Sequence, residues 1–129
     1  MGYRSDVYLK TTKDGYRELD RIIRDRNEEG YRLFTSPDKL LLDGDGVTME
    51  WNYIKWYDGY DEIDTIDDAI NSISDKYPVH FVRIGEDMDD IEERWYYPDD
   101  YDGDFDCLDI VRTVKTYGKE INREELFNE

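Results

Sequence analysis

Hydrophobic and polar positions alternate along this chain with two periods, and the switches between them mark the elements. Residues 6–12 carry β-branched and aromatic side chains, with Val7 and Leu9 on one face, as a short strand would. From Asp14 the period changes. Tyr16, Leu19, Ile22 and Ile23 follow at helical spacing, and Gly30 stands where a C′ cap would end the helix. Residues 31–34 read as a short extended piece before the turn at Ser36-Pro37-Asp38. Two strands, 39–42 and 47–57, are then joined by Asp43-Gly44-Asp45-Gly46, and Asp-Gly pairs between apolar runs are a hairpin signal. On the longer strand Val47, Met49, Trp51 and Tyr53 share one face, opposite Glu50 and Asn52. Ile54 and Trp56 break that alternation. Either the strand is covered on both sides there, or a bulge shifts its register.

Asp64 reads as the N-cap of a second helix, with Asp67 and Asp68 near the positive end of its dipole. Ile66, Ala69, Ile70 and Ile73 form its apolar stripe, and Asp64, Asp68, Asn71 and Asp75 fall opposite. Tyr77-Pro78 stops it. Residues 79–84 are apolar on both faces, as in a central strand. An acidic turn (85–90), an alternating strand (91–97), an acidic loop (98–106) and a last strand (107–117) follow, and 119–129 is a short helix or a frayed tail. The order is β-α-β-β-α-β followed by a β-hairpin, the split β-α-β plan of ferredoxin-like folds. The expectation is one α+β domain over residues 1–129, with a mainly antiparallel sheet and two helices on one face.

Charge divides this pattern into unequal parts. Residues 1–57 carry 10 basic and 11 acidic groups, residues 110–129 carry 4 of each, and residues 58–109 carry 3 basic and 19 acidic. Of the net −17, −16 therefore sits in the middle of the chain. A net of −16 equals that of about 27 Å of duplex DNA, or roughly eight base pairs. Self-repulsion of that size costs stability, and solubility alone does not require one-sided placement.

Catalytic chemistry finds little support. There is no G-x-S-x-G elbow, phosphate-binding glycine loop or CxxC. His80 and Cys107 are the only residues of their types; His80 reads as a partly buried strand histidine and Cys107 as a small core residue. The Asp43–Gly46 stretch fails the register of a calcium loop, because its first and twelfth positions would be Leu41 and Asn52. Glu86, Asp87, Asp89, Asp90, Glu92 and Glu93 are the best carboxylates for a two-metal phosphodiesterase. Their field, however, repels a polyanionic substrate, since only Arg83 and Arg94 lie nearby. The same field opposes base stacking on the sheet aromatics. No cofactor and no metal site is expected. A lone cysteine suits a reducing compartment, residues 1–12 lack the apolar core of a secretory signal, and Asp6 stands where a myristoylation motif needs Ser or Thr. A cytoplasmic setting is expected, without membrane or direct nucleic-acid contact.

Three blocks carry a resemblance: Met1–Val7 (MGYRSDV), Trp51–Tyr57 (WNYIKWY), and Val82–Asp87 (VRIGED) with Asp90–Glu93 (DIEE) after it. In these the chain resembles a family of small phage and prophage proteins of uncharacterised function. The resemblance spans roughly the first three-quarters of the chain. It implies a viral setting, in which small acidic proteins often act by binding a host protein. The expected function is non-enzymatic: an acidic interaction protein that inhibits a basic host nucleic-acid-binding or defence protein, such as a nuclease, by presenting a DNA-mimic-like surface. The expected contact residues are Asp58, Tyr60, Asp61, Glu62, Asp64, Asp67, Asp68, Glu86, Asp87, Asp89, Asp90, Glu92 and Glu93, beside Tyr57 and Trp95. The alternatives are a virion assembly protein whose acids only solubilise it, and the carboxylate metal enzyme.

Overall fold

The computed structural model describes residues 2–99, 101, 103, 105, 108–111 and 113–127. Strand β1 (Ser5–Thr12) leads into helix α1 (Lys13–Arg26), then α2 (Glu28–Phe34), and the hairpin of β2 (Lys39–Asp43) and β3 (Gly46–Ile54). Helix α3 (Asp61–Ile73) follows, then β4 (Val79–Gly85) and β5 (Ile91–Tyr96). Short strands β6 (Asp109–Val111), β7 (Thr113–Lys115) and β8 (Lys119–Glu120) precede a 3₁₀ turn at Arg123–Leu126. The main sheet has six strands in the order β5-β4-β1-β3-β2-β8, and every pairing is antiparallel. The class is α+β.

Local chemistry accounts for the element boundaries. Thr12, not Asp14, caps α1: its hydroxyl accepts the Gly15 N–H at 3.0 Å. At the tip of the β2–β3 hairpin Gly44 adopts φ 61°, a left-handed angle that costs glycine little. Tyr53 is bulkier and still takes φ 55°, while the pairing with β1 shifts between Ser5 and Val7. This is the bulge; the Asp6 carboxylate accepts the Tyr53 N–H at 2.8 Å and satisfies it. It turns Tyr53 outward, off the face of Trp51, and lets Trp56 be buried.

One core joins alternate residues of the sheet to all three helices. Val7, Leu9, Val47, Met49, Trp51, Val79 and Phe81 pack with Tyr16, Leu19, Ile23, Phe34, Ile63, Ile66, Ile70 and Ile73. Each such burial stabilises by about 1.5–3 kcal/mol. A smaller cluster of Tyr8, Val82 and Leu108, with Ile84 against it, involves the residues between them on β1 and β4.

Several expectations are corrected. The described residues form three α-helices, not two, because Gly30 does not end one. Asn27 ends α1 with its backbone N–H, which donates to the Ile23 carbonyl at 3.2 Å, and caps α2 with its side chain, which accepts the Gly30 N–H at 2.7 Å. Gly30 instead lies close against α3, where a Cβ would sit 3.2 Å from Thr65, tighter than an ordinary contact. Residues 31–34 are therefore helical. Within the expected strand at 107–117 the described residues form two short strands that pair with each other, while Cys107 lies outside the described residues. The tail is docked rather than frayed as far as Phe127: Ile121 and Leu126 are core residues, and Arg123 pairs with the buried Asp20 and reaches the Tyr31 hydroxyl at 2.8 Å.

Candidate interaction surface

Helix α3 places its acids by its apolar stripe. Ile63, Ile66, Ala69, Ile70 and Ile73 are buried, so Asp61, Asp64, Asp68 and Asn71 face solvent. Asp64 is not the N-cap; the helix starts at Asp61 after Tyr60, and the Asp64 carboxylate accepts the Gly59 N–H at 3.0 Å. Asp61, Glu62 and Asp64 crowd the first turn, where the helix dipole favours them. The rise from Asp64 to Asp68 is about 6 Å.

The β4–β5 turn is pinned by side chains from far away in sequence. Gly85 N–H donates to the Asp90 carbonyl at 2.8 Å, and Asp90 N–H to the Asp87 carbonyl at 3.0 Å. The Tyr3 hydroxyl donates to Asp90 Oδ2 at 2.6 Å and accepts the Asp87 N–H at 2.9 Å. Arg83 grips Asp90 at 2.8 Å and Glu92 at 3.1 Å, and donates to the Ser5 hydroxyl at 3.0 Å. The Arg83 guanidinium, aided by the Tyr3 hydroxyl, holds the Asp90 carboxyl below its usual range. Asp90 in turn raises the pKa of Arg83.

The second arginine joins this turn to the helix. Arg94 of β5 lies over the Phe81 ring at 4.3 Å and bonds Asp67 of α3 at 2.7 Å. Burial raises the Asp67 pKa despite Arg94, and the charges of Asp58 and Glu92 push it the same way. Arg94 therefore lies between Asp67 and Glu92, the latter at 3.5 Å. A chain of tyrosines closes the gap from the other side. The Tyr60 ring meets Tyr57 edge-on at 5.3 Å, and the Tyr57 hydroxyl donates to the Tyr3 carbonyl at 2.8 Å. These contacts link the start of α3 to the β4–β5 turn through Tyr60, Tyr57 and Tyr3.

The expected contact residues fall into three sets. Asp67, Asp90 and Glu92 are taken up by Arg94 and Arg83. Asp58, Tyr60, Asp61, Asp64, Asp68, Glu86, Asp87 and Asp89 are exposed, and Glu62 is half-buried. Glu93 belongs to neither group, because alternation along β5 sends it to the side opposite Arg94. There it bonds His80 Nε2 at 2.6 Å. His80 is buried, and its Nδ1 accepts the Leu108 N–H at 2.9 Å, so Nε2 carries the N–H and donates a hydrogen bond to the Glu93 carboxylate. Trp95 goes with Glu93. It packs edge-on to His80 at 5.0 Å and stacks on Phe105 at 5.7 Å, so it does not flank the α3 acids. Tyr3, Arg83 and Arg94 are the organising residues that sequence reading missed; only the isolation of two arginines among acids hinted at the last two.

Surface charge differs sharply between the helices. On α1 and α2, Arg17 pairs with Asp14, Arg21 with Glu18, Arg24 with Asp20, and Arg32 with Glu28 and Glu29. The last turn of α3 holds no base, and its outward acids face none of the ion pairs found among the described residues. No group of three or more His, Cys, Asp or Glu among the described residues is arranged to hold a metal ion, and Asp102 and Asp104 lie outside them. No helix among the described residues is long and apolar enough to cross a membrane. Comparison with protein-family models, curated proteins and solved structures finds no match for the chain.

Proposed function

We propose that the protein is a non-enzymatic phage-encoded interaction protein. It docks a basic nucleic-acid-binding or defence protein of the host through the acidic face formed by α3 and the β4–β5 turn. The observation that carries this reading is the contrast in pairing. The chain neutralises α1 and α2 locally, yet Arg94 beside α3 and Arg83 at the β4–β5 turn are drawn inward, at 23% and 16% side-chain exposure, and the outer acids face none of the ion pairs found among the described residues. Such a face attracts a positive groove over long range and competes with the polyanion that groove normally holds. The order β4-β1-β3-β2 of the inner strands supports a ferredoxin-like split β-α-β frame, extended by β5 and β8. The frame carries no function by itself. The phage setting rests on the three sequence blocks, and the cytoplasm is where such a partner would be met.

The test is capture from a bacterial lysate at low and then moderate salt. The wild type is compared with a variant carrying Asp61→Asn, Glu62→Gln, Asp68→Asn, Asp87→Asn and Asp89→Asn. Asp90 is kept because it holds Arg83 and Tyr3. The wild type should retain basic nucleic-acid-binding proteins at low salt and the variant should not. Retention of the same proteins by both, or of this chain alone, would favour the assembly role.

A further inference from the structure

Beside the acidic face lies a groove of about 400 Å³, formed where α2 ends, β3 ends and α3 begins. Leu33, Ile54, Ile63 and Tyr60 give it apolar walls, and Glu62 stands at its edge. Its shape follows from features already described. The left-handed Tyr53 re-aims the chain so that Ile54 packs on the core, and the Trp51 indole donates to the Leu33 carbonyl at 3.0 Å, fixing the end of α2. The cation on its other side, Arg32, is held by Glu28 and Glu29 at 3.5 and 2.8 Å. Of the lining cations only Lys55 lies outside those pairs, and Glu62, with the exposed Asp58 and Asp61 on either side of Tyr60 in the sequence, weights the mouth toward negative charge.

We propose that this groove receives an aliphatic or aromatic side chain of a basic protein partner, flanked in that partner by lysine or arginine. The proposal rests on the reading of the acidic face as a docking surface and names its anchor. Exposed charge pairs steer an encounter but hold it weakly; residence comes from an apolar side chain desolvated in a pocket. Here the pocket shares Tyr60 and Glu62 with the acidic face, so one partner segment can use both. A second copy of this chain is the wrong occupant, because it brings another net charge of −17 to the same place.

The test uses three synthetic peptides, Lys-Lys-Trp-Lys-Lys, Lys-Lys-Ala-Lys-Lys and Glu-Glu-Trp-Glu-Glu, titrated into isotope-labelled protein and followed by amide shifts. The Lys-Trp peptide should bind about tenfold more tightly than either of the others, as an anchor residue requires, and move the Leu33, Ile54 and Ile63 amides. Ser36→Trp, which fills the groove from an exposed position, should abolish the difference between the Trp and Ala peptides and leave the Lys-Ala peptide's binding unchanged. Glu62→Gln should weaken both Lys peptides alike. Equal affinity for the Trp and Ala peptides in the wild type would overturn the groove and leave the acidic face standing. Equal affinity for the Glu and Lys peptides would overturn the partner's charge. Failure of every Lys peptide to bind would remove the docking reading itself. Self-association in sedimentation that Ser36→Trp abolishes would put a second copy in the groove.

Discussion

Replacing Arg94 with Met tests whether the inward arginines hold the acidic face together. The thioether can still cover the Phe81 ring, so most of the packing is kept and the charge is removed. What is left behind is Asp67, bonded by Arg94 at 2.7 Å, with Asp58 and Glu92 close by. Removing one partner of a fully buried pair costs about 3–5 kcal/mol, and partial exposure lowers this here to about 2–4 kcal/mol. Asp67→Asn alone should cost less, about 1–2 kcal/mol, because Glu92 still lies 3.5 Å from Arg94. Combined, the two changes should cost less than their sum by about 1–2 kcal/mol, measured by urea unfolding in a double-mutant cycle. The pH dependence has a definite sign. Burial already places the Asp67 carboxyl above 3.8, and loss of Arg94 moves it higher. The destabilisation is therefore full at neutral pH and fades as pH falls through the Asp67 value in the folded variant. Additive costs, or a loss independent of pH, would refute the coupling.

Three further expectations concern the fold and its charge. Trp51→Ala should cost about 3–5 kcal/mol in urea unfolding, since it empties a fully buried site against Trp56 and removes the bond to Leu33. Thermal scans should show a melting temperature that rises from low to physiological salt as screening relieves the acids of α3 and the β4–β5 turn; a flat or falling trend would mean that they do not interact. Asp90→Asn should destabilise at neutral pH, and its deficit should shrink as pH falls below 3.8, because the wild type loses the benefit of the ionised Asp90 there. A deficit unchanged at pH 3 would detach Asp90 from Arg83 and Tyr3.

Where one local period decided the structure, residues alone were sufficient. The stripe Ile66, Ala69, Ile70 and Ile73 located α3, and Asp43-Gly44-Asp45-Gly46 located the hairpin. The break at Ile54 and Trp56 raised the bulge as one of two options. Gly30 misled because a glycine after a helix resembles a cap, while its closeness to Thr65 depends on another helix. The site divides the same way. Exposure of Asp61, Asp64 and Asp68 follows from helical spacing, but the loss of Asp67, Asp90 and Glu92 to arginines depends on tertiary pairing. Strand alternation separates Glu93 from Glu92, and a contiguous acidic run conceals that split. Tyr3 gave no signal, since its bonds to Asp87 and Asp90 span more than eighty residues.

Displacement of duplex DNA tests the docking claim most directly. The basic host protein captured by the wild type is loaded with a labelled duplex, and fluorescence anisotropy follows release as this protein is added. Wild type should release the duplex, less effectively as salt rises, and the five-acid variant should not. A partner that holds the duplex and this protein together, or release by the neutralised variant as readily as by wild type, would contradict the account.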